Sequence, residues 1–492
     1  MKIRLGLGPL CMKDVAAFCG GDYYNFTGDD HVSVEWVCTD SREADRDTMM
    51  IAIRGERVDG HDYIEKAMEN GCRCFLCEYV PACIAGKSVS AVIAEDSVSV
   101  LCRLAHLYRQ RKPLRCVAVT GSVGKTTAKE MISAALGERF RVFRTEGNFN
   151  STIGMPLSLM SVGAQEEAAV FEMGMSGFGE IAAMSGAASP DVAVITNIGT
   201  SHLEYLGTRE NICRAKMEIV TGLRRGGTLV LNGDEPLLRG QHESAYRTVF
   251  VSVETTDADY YADHIRFTAS GSAFDLHCPD GACVHVEIPA IGKHMVMEAA
   301  LAFAAARAIG EEPADIVNGL RQYKTLGLRQ NVRPCGQITL IADCYNAAPE
   351  SMCAALRVLR EMKAQNGGRA VAVLGDMLEL GQTSPELHRT VGTEVAACGT
   401  DLLFTIGERA RMYAEGAREG GMPADAVCSF TDGSDLTALT GMLAKTLLPG
   451  DTVLVKASHA MCLDRVCTYL DEHFAKAVKN DSETIKDPDG GM

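Results

Sequence analysis

The amino-acid sequence predicts an α/β protein of about three domains, with a doubly wound, mostly parallel sheet at its centre. Three observations predict it. At 492 residues the chain is too long for a single hydrophobic core. Short apolar runs alternate with helical patterns from about residue 109 to 325, and again from about 326 to 476, as strand–helix–strand units do. One such unit, Val117–Glu130 (VAVTGSVGKTTAKE), passes from a strand through a glycine-rich turn directly into an amphipathic helix.

Composition narrows the function classes. With 47% hydrophobic and 23% charged residues, the chain reads as an ordinary globular protein. No run approaches the roughly 18 apolar residues of a membrane-spanning helix. In the first residues, MKIRLGLGPLCMKDV, the apolar stretch is too short for a signal peptide and is followed by Lys13 and Asp14. A cytoplasmic protein without membrane insertion is expected. A net charge of −16 argues against nucleic acid and anionic membranes as partners, while leaving room for small phosphorylated substrates. Among the 19 cysteines, Cys72, Cys74, Cys77 and Cys83 are the tightest group. No histidine completes a second ligand pair at finger-like spacing, so buried reduced thiols are favoured over zinc.

Residues 1–108 read as a small mixed α/β domain. Thr39, Asp40, Ser41 and Arg42 form a polar knot between apolar strands, and GERVDGHD is a glycine-rich loop before a helix at Tyr63–Asn70. A helix at Val98–Gln110 and the break at Lys112-Pro113 set the boundary. Residues 109–325 hold the doubly wound sheet. There CVAVTG, AAVFEMGM, DVAVITNIG and GTLVLNGDEP are strands entering polar loops, residues 245–290 a β-rich insert without visible chemistry, and Met297–Ile309 a closing helix. Residues 326–476 repeat the alternation through ITLIADCYN, a helix Glu350–Gln365, AVAVLGDM, DLLFTIGE and DTVLVKAS. Residues 477–492 are polar and read as a disordered tail.

The turn in Val117–Glu130 carries the strongest chemistry. Gly121 and Gly124 let the amides of Ser122, Val123, Thr126 and Thr127 converge on an anion at the positive end of a helix. Lys125 is placed for terminal phosphates and Thr126 for Mg²⁺. The common GxxxxGK[ST] pattern would need glycine at 119; Val119 stands there, and the loop has the shorter form TGxxGKTT. A nucleoside triphosphate with Mg²⁺ then needs a further ligand. Glu172 ends a strand roughly 50 residues on, and His202 follows a neighbouring strand. Each alone is more often structural; together they favour a metal. From the second α/β unit, Arg329 suits a transferring phosphoryl group and Asp343 ribose hydroxyls.

The sequence resembles the ATP-dependent Mur ligase superfamily, through TDSR with GERVDGHDY, TGSVGKTTAKE, GNFNSTIGMPLSL, FEMGMSGFGEI, TNIGTSHLEYLGTRENICRAKMEI, LNGDEP, IGKH, ADCYNAAPESM, VLGDMLELG and VLVKAS. YNAAPESM, and GDMLELG with His388, favour the branch that adds D-alanyl-D-alanine to UDP-N-acetylmuramoyl-tripeptide. The resemblance implies an ADP-forming ligase of peptidoglycan precursor synthesis that works through an acyl phosphate. It places ATP on Lys125 and the loop amides, with Asn148 beside the phosphates, Arg329 on the γ-phosphate and Asp343 on the ribose. It places one Mg²⁺ on Thr126 and Glu172, and a second on His202 supported by Lys216, where the family carries a carbamylated lysine. Asp40, Ser41 and Arg42 would lie near the UDP group, and Tyr345, Asn346 and residues 376–381 near the incoming dipeptide. A monomer is expected. The chain departs from the family where Met295 and Glu298 stand for two asparagines after IGKH, and where KASH, with Ala457 and His459, stands for KGSR; Ala348 replaces a commoner Asn or Ser. Two other readings stay open: a Mur-type ligase with a different acceptor, and a catalytically idle nucleotide-binding homologue.

Overall fold

In the computed structural model, which describes residues 1–484 apart from 30, 56, 243, 269 and 432–435, three large sheets follow one another along the chain, and a two-stranded one pairs Leu10–Cys11 with Ser33–Val34 near the N-terminus. The N-terminal sheet has six strands, with a parallel centre (Trp36–Cys38, Thr48–Ile51, Cys74–Cys77, Ser90–Ile93) and an antiparallel strand at each edge. Cys72 and Cys77 are buried on one face of it and Cys74 on the other, and the Cys72 thiol donates to the Thr48 carbonyl.

The central sheet has nine strands. Six parallel pairings join Val142–Arg144, Ala168–Glu172, Arg115–Thr120, Val192–Ile195, Thr228–Asn232, Arg247–Ser252 and Tyr260–Thr268 in that spatial order. These strands read as continuous apolar runs because helices cover both faces. Lys125–Leu136 and Lys293–Ile309 pack on one face; Glu180–Ala188 and Ser97–Gln110, the latter arriving from the N-terminal domain, pack on the other. The β-rich stretch 245–290 joins this sheet. Gly271–His277 and Cys283–Ile288 add antiparallel strands and lengthen the same sheet.

The C-terminal sheet has six strands, parallel except at the Asn331–Cys335 edge. The last helix runs Asp464–Thr484 and so takes in residues 477–484 of the expected tail; 485–492 lie outside the described residues. Val466, Cys467, Leu470 and Phe474 recur at helical spacing against the sheet, and the helix they anchor propagates into the polar stretch.

Register places the chemistry. Glu172 pairs with Val119 and Ile195 with Thr120, so the loops leaving three adjacent strands emerge side by side. In an open parallel sheet this is where ligands bind. In the C-terminal sheet Asp343 and Lys456 are direct neighbours on parallel strands.

Candidate active site

A cavity of about 390 Å³ lies between the phosphate loop and the C-terminal domain. One wall is the loop itself, Ser122 to Thr127. Gly124 holds φ at 86° as it caps the helix Lys125–Leu136, a left-handed conformation that side chains with a Cβ resist. A Cβ there would collide with the Glu298 carboxylate. Asn197 braces the loop through its side-chain oxygen, which accepts from the Val123 N–H at 2.9 Å. Lys125 Nζ donates to the carbonyls of Gly121 (2.8 Å) and Ser122 (3.3 Å). Burial lowers the Lys125 pKa, Arg329 adds repulsion, and the carboxylates of Glu172 and Glu298 oppose the shift. A polyphosphate entering here meets a desolvated cation and converging amides.

Beside the loop, Glu172 is 3% exposed and held from two sides. Thr126 Oγ1 donates to its Oε2 at 2.8 Å and Asn150 Nδ2 to its Oε1 at 2.8 Å, with Lys129 Nζ 3.9 Å away. A hydroxyl and a carboxylate at the edge of a phosphate cradle form the hard-oxygen donor set that suits Mg²⁺. The sequence-based expectation named Asn148 for this region, but Asn148 does not line the cavity and Asn150 does. Both sit in GNFN, and the pattern does not show which asparagine turns inward.

The opposite wall carries Arg329, Asp343, Tyr345 and Asn346. The Arg329 guanidinium lies 3.8 Å from the centre of the Tyr345 ring, and the His459 ring is tilted against the same tyrosine at 5.4 Å between ring centroids. Buried Lys456 donates to Asp343 Oδ2 and to the Asn346 carbonyl, both at 2.8 Å. Asp343 Oδ1 accepts from the Gln330 amide at 3.1 Å, and each oxygen keeps a lone pair for the cavity. Sequence reasoning named neither Lys456 nor Gln330 for the site. The two domains also touch directly: Glu350 Oε1 accepts from the Thr200 amide at 2.9 Å.

His202 and Lys216 lie outside the cavity lining but feel the charge of Lys125. Burial, with Lys125 and Lys216 adding, pushes the His202 pKa down to about 4, so the imidazole is neutral; its Nδ1 is buried without a hydrogen-bond partner, 3.6 Å from Glu379 Oε2. Lys216 is 1% exposed. Burial first, then Lys125, holds it well below the ordinary lysine range. Among the described residues no acceptor or carboxylate pairs with its amine.

The GDMLELG loop is fixed from behind. Buried His388 accepts from the Met377 amide through Nε2 (3.0 Å) while Nδ1 donates to the Ser384 carbonyl (2.7 Å), and Ser458 Oγ accepts from the Leu378 amide (3.0 Å). In the N-terminal domain Arg42 pairs with Asp40 at 2.6 Å, which holds the Asp40 carboxyl down to about 2. The Ser41 side chain is buried, and Asp40, Ser41 and Arg42 do not reach the cavity.

Comparison with known proteins decides the family. Domain profiles for the Mur ligase family catalytic domain, the Mur ligase middle domain and the Mur ligase glutamate ligase domain match residues 33–104, 119–306 and 328–459. The chain belongs to the Mur ligase family. Similar to this ligase is the UDP-N-acetylmuramoyl-tripeptide–D-alanyl-D-alanine ligase of Bacillus subtilis (strain 168), 36% identical across 92% of this chain and 97% of that protein. The Escherichia coli (strain K12) protein of the same name is 32% identical over 90% and 95%. Among solved structures, MurF from Acinetobacter baumannii superposes with a TM-score of 0.85 at 29% identity, covering 95% of this chain and all of that one. MurF ligase from Thermotoga maritima in complex with ADP gives 0.79 at 29% identity, covering 90% and 98%. In this Mur ligase no helix of the described residues is long and apolar enough to cross a membrane.

Proposed function

We propose that this Mur ligase uses ATP to join D-alanyl-D-alanine to the terminal carboxylate of UDP-N-acetylmuramoyl-tripeptide, in the cytoplasm and as a monomer. The observation that carries the reading is the two-walled cavity. A phosphate loop with the Thr126–Glu172–Asn150 chain faces Arg329, Asp343, Tyr345 and Asn346 across it. Near-complete coverage of relatives that bear this activity in their names supports the choice of acceptor.

A carboxylate is a poor acyl donor, so its oxygen must first attack the γ-phosphorus of ATP. Lys125 and the loop amides would bind the triphosphate, Asp343 the ribose, and Arg329 would stabilise charge on the transferring phosphoryl group. Thr126 and Glu172 fit one Mg²⁺, and His202 with Lys216 a second; the ions would supply the positive field that offsets repulsion between carboxylate and triphosphate. A neutral lysine amine offers such an ion no oxygen, whereas its carbamate does. The partnerless, depressed amine of Lys216 is the form to which CO₂ adds. Tyr345 and Asn346 would orient the dipeptide amine toward the acyl phosphate. Contact of Thr200 with Glu350 would keep the domains closed and exclude water that would hydrolyse the activated acid. Asp40, Ser41 and Arg42 would hold the UDP end, far from the chemistry.

Phosphate release measured with UDP-muramoyl-tripeptide and a panel of D-alanyl-D-alanine, other dipeptides and single amino acids tests the reading. Release that needs both the tripeptide and D-alanyl-D-alanine is expected. Faster release with another acceptor would reassign the substrate, and none with any acceptor would overturn the enzyme.

A further inference from the structure

On the antiparallel extension of the central sheet, far along the edge from the cavity, several metal-ligating side chains share one outward face. Regular alternation puts Asp263 of the strand Tyr260–Thr268, Asp275 and His277 of Gly271–His277, and His285 of Cys283–Ile288 on that face. The pairing is direct: Asp263 lies opposite Asp275, which lies opposite His285. Like charges directly across a strand pair repel. A cation between the two carboxylates would relieve that repulsion.

A β-bulge supplies the next group. Between Asp263 and Arg266 the register slips, and His264 takes a φ of 47°, in the left-handed region that a residue with a Cβ avoids. Without the slip His264 would point to the opposite face from Asp263. With it, His264 Nδ1 lies 3.2 Å from Asp263 Oδ1 and 3.1 Å from Asp275 Oδ2. One ligand atom from each of the three falls within 4.8 Å of the others. Asp263 Oδ1 is shielded from solvent and has no hydrogen-bond partner. The far oxygens are already engaged: His277 Nε2 lies 3.1 Å from Asp263 Oδ2, and His285 Nδ1 2.7 Å from Asp275 Oδ1. This is the arrangement of a metal centre in which outer imidazoles orient inner carboxylates.

We propose that Asp263, His264 and Asp275 form a site for one divalent cation of the zinc class, with His277 and His285 as positioning residues behind the carboxylates. One imidazole nitrogen with two carboxylate oxygens matches Zn²⁺ or its neighbours better than Mg²⁺, which prefers oxygen alone. Ligand atoms 3.1 to 3.2 Å apart flank a space that metal bonds of about 2.0–2.2 Å fill with small adjustments. None of these residues lines the catalytic cavity. The ion would neutralise the facing aspartates and lock the bulge, tying the three edge strands together.

The test is Zn²⁺ titration of tag-free, chelator-treated enzyme in excess Mg²⁺, comparing the parent with His264→Gln and Asp275→Asn, alongside Co²⁺ absorption and thermal melting. The parent is expected to bind one more equivalent than either variant, at least about 100-fold tighter than the variants at this site, and to melt higher with Zn²⁺. His285→Gln is expected to weaken binding about 10–100-fold, as loss of an outer partner does. Phosphate release under Mg²⁺ should be unchanged in all of them. Equal Zn²⁺ stoichiometry and affinity in parent and His264→Gln would overturn the site. Should a variant fail to fold, absence of a Co²⁺ ligand-field band in the parent beyond that of the aquo ion would overturn it equally.

Discussion

Replacing Gly124 by alanine is expected to damage the phosphate loop in two separable ways. At φ 86° an L-residue carries about 1–2 kcal/mol of left-handed strain. The added methyl also meets the Glu298 carboxylate, 6% exposed at the cavity wall, whose flexible end must shift to make room. Overpacking of this kind costs about 1–3 kcal/mol. The total, about 2–5 kcal/mol, appears at folding if the loop is rigid when empty, or at nucleotide binding if the empty loop relaxes. Each 1.4 kcal/mol is about tenfold, so the summed loss in melting stability and ATP affinity should exceed tenfold. Calorimetric ATP titration and thermal melting measure the two parts. Adding Glu298→Ala to Gly124→Ala should recover only the steric part. Gly186 is the control, a helical glycine whose added Cβ meets nothing within 4 Å; its alanine variant should gain up to about 1 kcal/mol. A Gly124→Ala enzyme with parental ATP affinity and melting temperature would refute the reasoning.

Three further outcomes follow from the same contacts. Asn150→Ala removes one of the two hydroxyl and amide donors on the Glu172 carboxylate and should lower Mg²⁺-dependent turnover by about 10–100-fold, with added Mg²⁺ recovering part of it. Lys456→Met leaves Asp343 without its buried partner and should destabilise the C-terminal domain by about 3 kcal/mol in denaturant unfolding, with Asp343→Asn in the same chain recovering most of the loss. His388 is held neutral because burial depresses its pKa below 6.5, against the pull of the Ser384 carbonyl. A depressed histidine leaves stability intact above the unfolded value and removes it as pH falls from about 6.5 toward the folded value. Melting temperature should therefore drop through that window, and less so in His388→Gln.

Much of the fold was legible because local pattern and topology agree. Apolar runs of strand length followed by helices can only be buried in a parallel sheet with covered faces, and the strand–turn–helix around Lys125 is local. What pattern missed depends on register. Asp343 and Lys456 stand 113 residues apart, and only the pairing of their strands makes them neighbours. Asn148 and Asn150 have the same chemistry two positions apart, so the loop's turn chooses between them. The stretch 245–290 looked chemically idle because its aspartates and histidines are scattered in sequence; strand pairing and one bulge gather them. Glu298 read as a lost asparagine, while the structure shows a carboxylate packed on Gly124 whose pKa burial raises well above the usual range, with Lys125 opposing.

The central claim is that the phosphate loop activates a carboxylate. Tripeptide substrate labelled with ¹⁸O in its terminal carboxylate tests it most directly, by mass spectrometry of the inorganic phosphate released on adding ATP and D-alanyl-D-alanine. One carboxylate oxygen leaves with the phosphate if an acyl phosphate forms, so one ¹⁸O per phosphate is expected. Unlabelled phosphate released with amide formation would contradict the account.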